Sequence, residues 1–182
     1  ITGVDTRELT KHLREKGSMQ ATLIFEGDNT TPVAKEGNLV AEVSCKEVIT
    51  YNASAGKKVV LVDCGVKESI IRYLLSRGVE VIRVPWDYDF NQLEAAAVII
   101  SNGPGNPEEC TATIEHIKTF LAKGENKPLL GLDLGNLLIA LAAGAKVLKH
   151  KYGHHGATQP VQLVGSQRCY ITAQNHGYVV DG

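Results

Sequence analysis

One stretch constrains the fold more than any other: Pro128-Leu129-Leu130-Gly131-Leu132-Asp133-Leu134-Gly135-Asn136-Leu137-Leu138-Ile139-Ala140-Leu141. A short apolar run reads as a buried strand, and a helix-compatible run begins at Asn136. Between them lies Gly131-x-Asp133-x-Gly135, the pattern of a nucleophile elbow, in which a sharp turn exposes its central residue at the carboxyl end of a strand. The flanking glycines are needed where side chains would meet the neighbouring strand and helix. The next backbone N–H then becomes available as half of an oxyanion hole. An elbow for acyl transfer wants Ser or Cys at its centre, and this one has Asp133.

The surrounding pattern is an α/β rhythm. Strands are expected near 58–62, 79–84, 97–100 and 128–132. Helices are expected over 68–76, 91–96 and 110–123, and from the elbow to Gly144. Continuous apolar strands joined through helices imply a doubly wound, mainly parallel sheet covered on both faces. Beyond Lys146 the pattern changes to short antiparallel strands at 146–148, 159–164 and 168–173, with turns at 153–156 and 165–166.

Residues 1–45 read as the remnant of another domain, too small to bury a core comfortably. A helix capped by Asp5 or Thr6 carries Leu9, Leu13 and the stem of Lys16 on one face and ends at Gly17. A short strand at 21–25 and a loop from Gly27 to Gly37 follow. Residues 46–56 read as a linker, and 57–182 as the main domain. Ile1 at the start suggests a piece of a longer polypeptide.

The 182 residues carry a formal net charge of −1, which makes nucleic acid and anionic membrane poor partners. No apolar run reaches membrane-spanning length, and no signal peptide is visible. Cys45, Cys64, Cys110 and Cys169 form no C-x-x-C pair and read as reduced thiols of a cytoplasmic protein. His150, His154 and His155 lack a nearby carboxylate or thiolate companion, so packed or partner-facing histidines are expected rather than a metal site.

Open α/β sheets bind ligands beyond the carboxyl ends of their strands. Two glycine-rich turns fall at that edge, Ser101-Asn102-Gly103-Pro104-Gly105 and 131–135. Together with Asp63-Cys64-Gly65-Val66-Lys67, Val84-Pro85-Trp86 and Gln174-Asn175-His176-Gly177-Tyr178, they resemble the class I glutamine amidotransferase domain of carbamoyl phosphate synthetase small chains. The opening Gly3-Val4-Asp5-Thr6-Arg7-Glu8-Leu9 resembles the end of the same chain's amino-terminal domain.

The resemblance implies a flavodoxin-like amidotransferase fold and a chemistry. An elbow Cys attacks the side-chain amide of glutamine, with a His–Glu pair as base and orienter. The ammonia passes to a large synthetase chain or domain, which uses bicarbonate, ATP and Mg to make carbamoyl phosphate for pyrimidines and arginine. No cofactor is implied in this chain. By position, Asp133 takes the nucleophile's place, and the N–H groups of Gly103 and Leu134 form the oxyanion hole. Gly105, Asn175, Gly177 and Tyr178 hold the backbone end of glutamine. Leu137 stands where a substrate-contacting Gln is usual.

The departures imply an inactive copy. Asp133 is no thiolate, and no His-Pro-Glu segment, where the family keeps its His and Glu, occurs in residues 1–182. His176 belongs to the Asn-His-Gly segment and is expected to position backbone rather than act as base. Two other readings stay open: an Asp-nucleophile hydrolase, and a non-catalytic partner of an ammonia-dependent synthetase.

Overall fold

The computed structural model describes residues 3–25, 27, 37–124 and 126–181. Most of the loop expected over 27–37, and Gly182, lie outside them. In chain order the elements are α1 (Thr6–Lys16), α2 (Leu39–Val43), β1 (Ile49–Tyr51), β2 (Lys57–Asp63), α3 (Glu68–Ser76), β3 (Val79–Pro85), β4 (Ala97–Ile100), α4 (Thr111–Ala122), β5 (Leu129–Gly131), α5 (Leu134–Ala142), β6 (Val147–Gln162) and β7 (Cys169–Val180). Two units emerge, one of residues 36–148 with 180–182, the other of 1–35 with 149–179.

The larger unit is a five-stranded sheet in the order β1-β3-β2-β4-β5. β2 pairs in parallel with β3 and with β4, and β4 pairs in parallel with β5. Val60 sits opposite Ile82 on one side and Val98 on the other, and Val98 opposite Leu129. The four expected parallel strands are therefore present. Each is apolar on both faces because helices cover both.

The period-two alternation of a strand divides the core. Val60, Val62, Val84, Val98 and Ile100 pack with Phe90, Ile117, Phe120, Leu134 and Leu138, which brings α4 and α5 onto one face. The intervening Leu61, Val81 and Ile99 pack with Ile71, Leu74 and Leu75 of α3 on the other. A sheet sandwiched between helices on both faces results.

Three local expectations outside the ribbon are corrected. Ile49–Tyr51, inside the stretch read as linker, is an edge strand antiparallel to β3, with Thr50 opposite Ile82. Three residues are too few to show a period. The helix expected over 91–96 is one 3₁₀ turn, Phe90–Gln92, capped by the Asp89 carboxylate on Asn91 N–H. Residues 21–25 adopt no strand.

In the smaller unit, Asp5 Oδ1 accepts from the N–H groups of Arg7 and Glu8 at 3.0 Å each and starts α1. Gly17 ends it at φ 85°, its N–H donating to Leu13 O. Ser18 N–H donates to Lys151 O at 2.9 Å, and Tyr152 Oη to Arg14 O. β6 and β7 form a two-stranded ribbon closed by Leu163 N–H donating to Arg168 O. The expected turn at 165–166 lies in that closure. The one at 153–156 does not form: β6 runs through it, bent at Gly153, whose φ is 68°.

Candidate active site

β4 and β5 are neighbours and run the same way, so the turns after them emerge side by side at one end of the sheet. The turn after β5 is an elbow. Asp133 has φ 51° and ψ −109°, a conformation that residues with a Cβ rarely adopt. Its side chain makes no hydrogen bond to the helix it precedes and is exposed. Gly135 N–H donates to Ser101 O at 3.1 Å and Leu132 N–H to Ile100 O at 3.0 Å, so the elbow is bolted to the end of β4.

The two elbow glycines leave no room for a side chain. A Cβ on Gly131 would stand 2.6 Å from Asn136 N, and one on Gly135 would stand 2.2 Å from Ile100 O. Gly103 is equally confined: its Cβ would lie 2.0 Å from Cys64 O and 2.9 Å from Leu134 Cδ2. Gly103 and Leu134 are thus in contact distance of one another, beside the exposed Asp133. Leu134 opens α5, so its N–H has no acceptor within the helix. Gly105, at φ 90°, faces Leu39 of α2, with 3.4 Å from its would-be Cβ to that of Leu39. Leu137 is buried.

Asn175, Gly177 and Tyr178 lie on β7, in the ribbon unit. Asn175 Oδ1 is 2.7 Å from His155 Nδ1. Both ring nitrogens of His176 are engaged, Nε2 with Gln174 Oε1 at 2.9 Å and Nδ1 with Tyr178 O at 3.1 Å. The rings of His150, His154 and His176 stack edge to face with centroids 5.3 Å and 5.2 Å apart. Among the described residues no group of three His, Cys, Asp or Glu side chains is set to hold a metal ion.

One group beneath this edge has no role that the sequence alone suggests. Asp63, at the end of β2, is fully buried and accepts five hydrogen bonds. Arg83 donates from Nε at 2.8 Å and Nη2 at 2.6 Å, and the N–H groups of Cys45, Gly65 and Val66 donate at 2.8, 2.9 and 2.8 Å. Burial alone pushes a carboxyl pKa up, but these donors outweigh it and hold Asp63 below the usual carboxylate range. The Asp-x-Gly spacing of Asp63 and Gly65 is an Asx-turn signal, which hints at the backbone half of the cluster. Arg83 lies on the neighbouring strand and gives no sequence signal.

Comparison with known proteins agrees with this architecture. Residues 60–182 match the family "Glutamine amidotransferase class-I". The chain is 45% identical to Multifunctional protein CAD of Squalus acanthias, 44% to Carbamoyl-phosphate synthase [ammonia], mitochondrial, of Homo sapiens, and 43% to the Carbamoyl phosphate synthase arginine-specific small chain of Saccharomyces cerevisiae. Each match covers the whole chain but only 8%, 12% and 46% of the relative, so the chain spans less than half of each. A putative GMP synthase subunit from Thermoplasma acidophilum is similar in structure, with a TM-score of 0.57 and 26% identity over 68% of this chain and 66% of that one. A Thermotoga maritima glutamine amidotransferase shares the fold at a TM-score of 0.51 and 17% identity, over 69% of this chain and 62% of that one. With the elbow at the carboxyl edge of a parallel sheet and this match over two-thirds of its length, the chain belongs to the class I glutamine amidotransferases.

Proposed function

We propose that this chain is the glutamine amidotransferase portion of a carbamoyl phosphate synthetase, attached to or partnered with the synthetase chain or domain, and that Asp133 holds its glutaminase activity silent. The relatives' names support the first half. The observation that carries the second is the elbow itself, whose strained vertex presents an exposed carboxylate.

In the active chemistry a thiolate at this vertex attacks the carboxamide carbon of glutamine, and the new oxyanion is held by the N–H groups of Gly103 and Leu134. Gly105, on the turn that follows Gly103, holds the backbone end of the substrate. Asp133 fails in that role on two counts. A carboxylate is a far weaker nucleophile toward an amide than a thiolate, and its charge repels the developing oxyanion. Leu137 in place of a polar side chain removes a further substrate contact. A synthetase carrying this chain takes its nitrogen as free ammonia, with bicarbonate, ATP and Mg handled on the synthetase side in the cytoplasm.

The test is ammonia release from glutamine by three proteins: this chain, its Asp133→Cys variant, and a longer polypeptide carrying Asp133→Cys together with a His-Pro-Glu segment. Only the third is expected to turn over, with a high KM from Leu137. Rapid hydrolysis by the first would make Asp133 a true nucleophile and overturn the proposal. Activity in the second would assign the base to a histidine within these residues.

A further inference from the structure

The turn after β2 and the turn after β4 are tied together by side chains rather than by sheet pairing. Ser101, fully buried, accepts from Cys64 N–H at 2.9 Å and donates to Asn102 O at 2.8 Å. Asn102 Nδ2 donates to Gly65 O at 3.0 Å, and its Oδ1 faces Lys67 N–H at 3.4 Å. Below them, Asp63 fixes the N–H groups of Gly65 and Val66 and is itself locked to Arg83. The carbonyl of Cys64, in the middle of this clamped turn, is the atom against which Gly103 rests.

We propose that Asp63 and Asn102 are positioning residues for the oxyanion hole: they hold the 64–67 turn as a fixed stop against which Gly103 is set, and so aim its N–H. The inference rests on the reading of Gly103 N–H as an oxyanion donor. It follows from geometry and rigidity. Gly103 has no side chain to anchor it, and flanking loop backbone gives an N–H direction only as well as its neighbours are held. An oxyanion donor must be held within a fraction of an ångström to be effective. Here the turn that Gly103 rests against is tied to a buried carboxylate five donors deep.

The test separates aiming from folding. In a full-length protein carrying Asp133→Cys, the rate of modification of the introduced thiol is followed by peptide mapping with two reagents. A chloromethyl ketone analogue of glutamine alkylates after thiolate addition to its carbonyl, whose oxygen becomes an oxyanion before chloride leaves. Iodoacetamide alkylates by direct displacement of iodide and builds no oxyanion. The exposed Cys169 serves as internal reference. The ratio of ketone to iodoacetamide rates is expected to be much higher at the elbow thiol than at Cys169. It should fall at least tenfold in Asn102→Ala and in Asp63→Asn, with the iodoacetamide rate and the apparent affinity for the ketone unchanged. Asn102 is partly exposed, so its variant keeps the test open should Asp63→Asn fail to fold. An unchanged ratio, or a parallel fall of both rates, overturns the proposal. A ratio at the elbow thiol no greater than that of Cys169, before either positioning residue is changed, fells the oxyanion reading of Gly103 itself, and the positioning role with it.

Discussion

The Cα of Gly135 rests against the carbonyl of Ile100, so closely that an added Cβ would lie 2.2 Å from its oxygen. The first turn of α5 and the end of β4 therefore approach to a distance that only glycine allows. Backbone cannot yield as a flexible side chain does, so α5 must shift to admit a methyl group. Gly135→Ala should lower stability by about 3 kcal/mol, the upper part of the usual range for overpacking. Gly131→Ala should act similarly, its Cβ meeting Asn136 N at 2.6 Å. Gly56, with open space around it and no positive φ, is the control, and Gly56→Ala should be within about 0.5 kcal/mol of the parent. Urea unfolding measures all three.

The vertex of the elbow stores strain. At φ 51° and ψ −109°, Asp133 occupies a region that costs a residue with a Cβ about 1–3 kcal/mol. Asp133→Gly removes that cost and makes the unfolded chain freer, so a net gain of about 1 kcal/mol is expected. Asp133→Cys keeps a Cβ and should leave stability near the parent's. Melting temperatures that rank Gly above Cys and Asp confirm a strained elbow, and equal values for all three reject it.

Acid should loosen the sheet edge through Asp63. Its carboxyl is held below the ordinary range in the folded state, so the stability it contributes is present above an unfolded value of about 3.9 and is lost as pH falls through the lower folded value. Between about pH 5 and pH 2 the parent should therefore lose stability more steeply than Asp63→Asn. At neutral pH the same substitution leaves Arg83 without its buried partner and should cost about 3–5 kcal/mol. Parallel pH–stability curves for the two proteins would show that Asp63 is not the group responsible.

Thiol chemistry should distinguish one cysteine from the other three. Cys169 is exposed, whereas Cys64 and Cys110 are buried. Burial pushes the Cys64 thiol well up and that of Cys110 to about 11. Burial and the nearby Asp63 carboxylate push Cys45 to about 11 as well. At about pH 8, near the ordinary thiol pKa, a disulfide reagent should titrate one thiol per folded chain quickly, and Cys169→Ser should abolish that phase. A second fast thiol would place one of the three in a more open setting than the structure gives it.

Much of the architecture is legible in the sequence because the relevant signals are local. Val60 to Val62, Val81 to Val84 and Val98 to Ile100 are largely apolar, as strands covered on both faces must be. Gly131 and Gly135 bracket the elbow at a spacing that few other turns require. The features that sequence alone does not reveal are set by partners distant along the chain. Ile49–Tyr51 becomes a strand only because β3 offers an open edge. β6 continues past Gly153 and Gly156 because β7 is there to pair with it. The Asp63–Arg83 pair joins two strands 20 residues apart in the chain, and neither residue alone advertises a buried partner.

The elbow has a consequence for how such a domain changes trade. Its geometry is set by Gly131, Gly135 and the carbonyl of Ile100, while the side chain at the vertex is exposed and makes no hydrogen bond to the helix. The mount and the tool are separate parts. The occupant of position 133 can be exchanged without repacking a buried neighbour, and the sheet and α5 keep their arrangement. A change of residue at the vertex therefore leaves no scar in the scaffold.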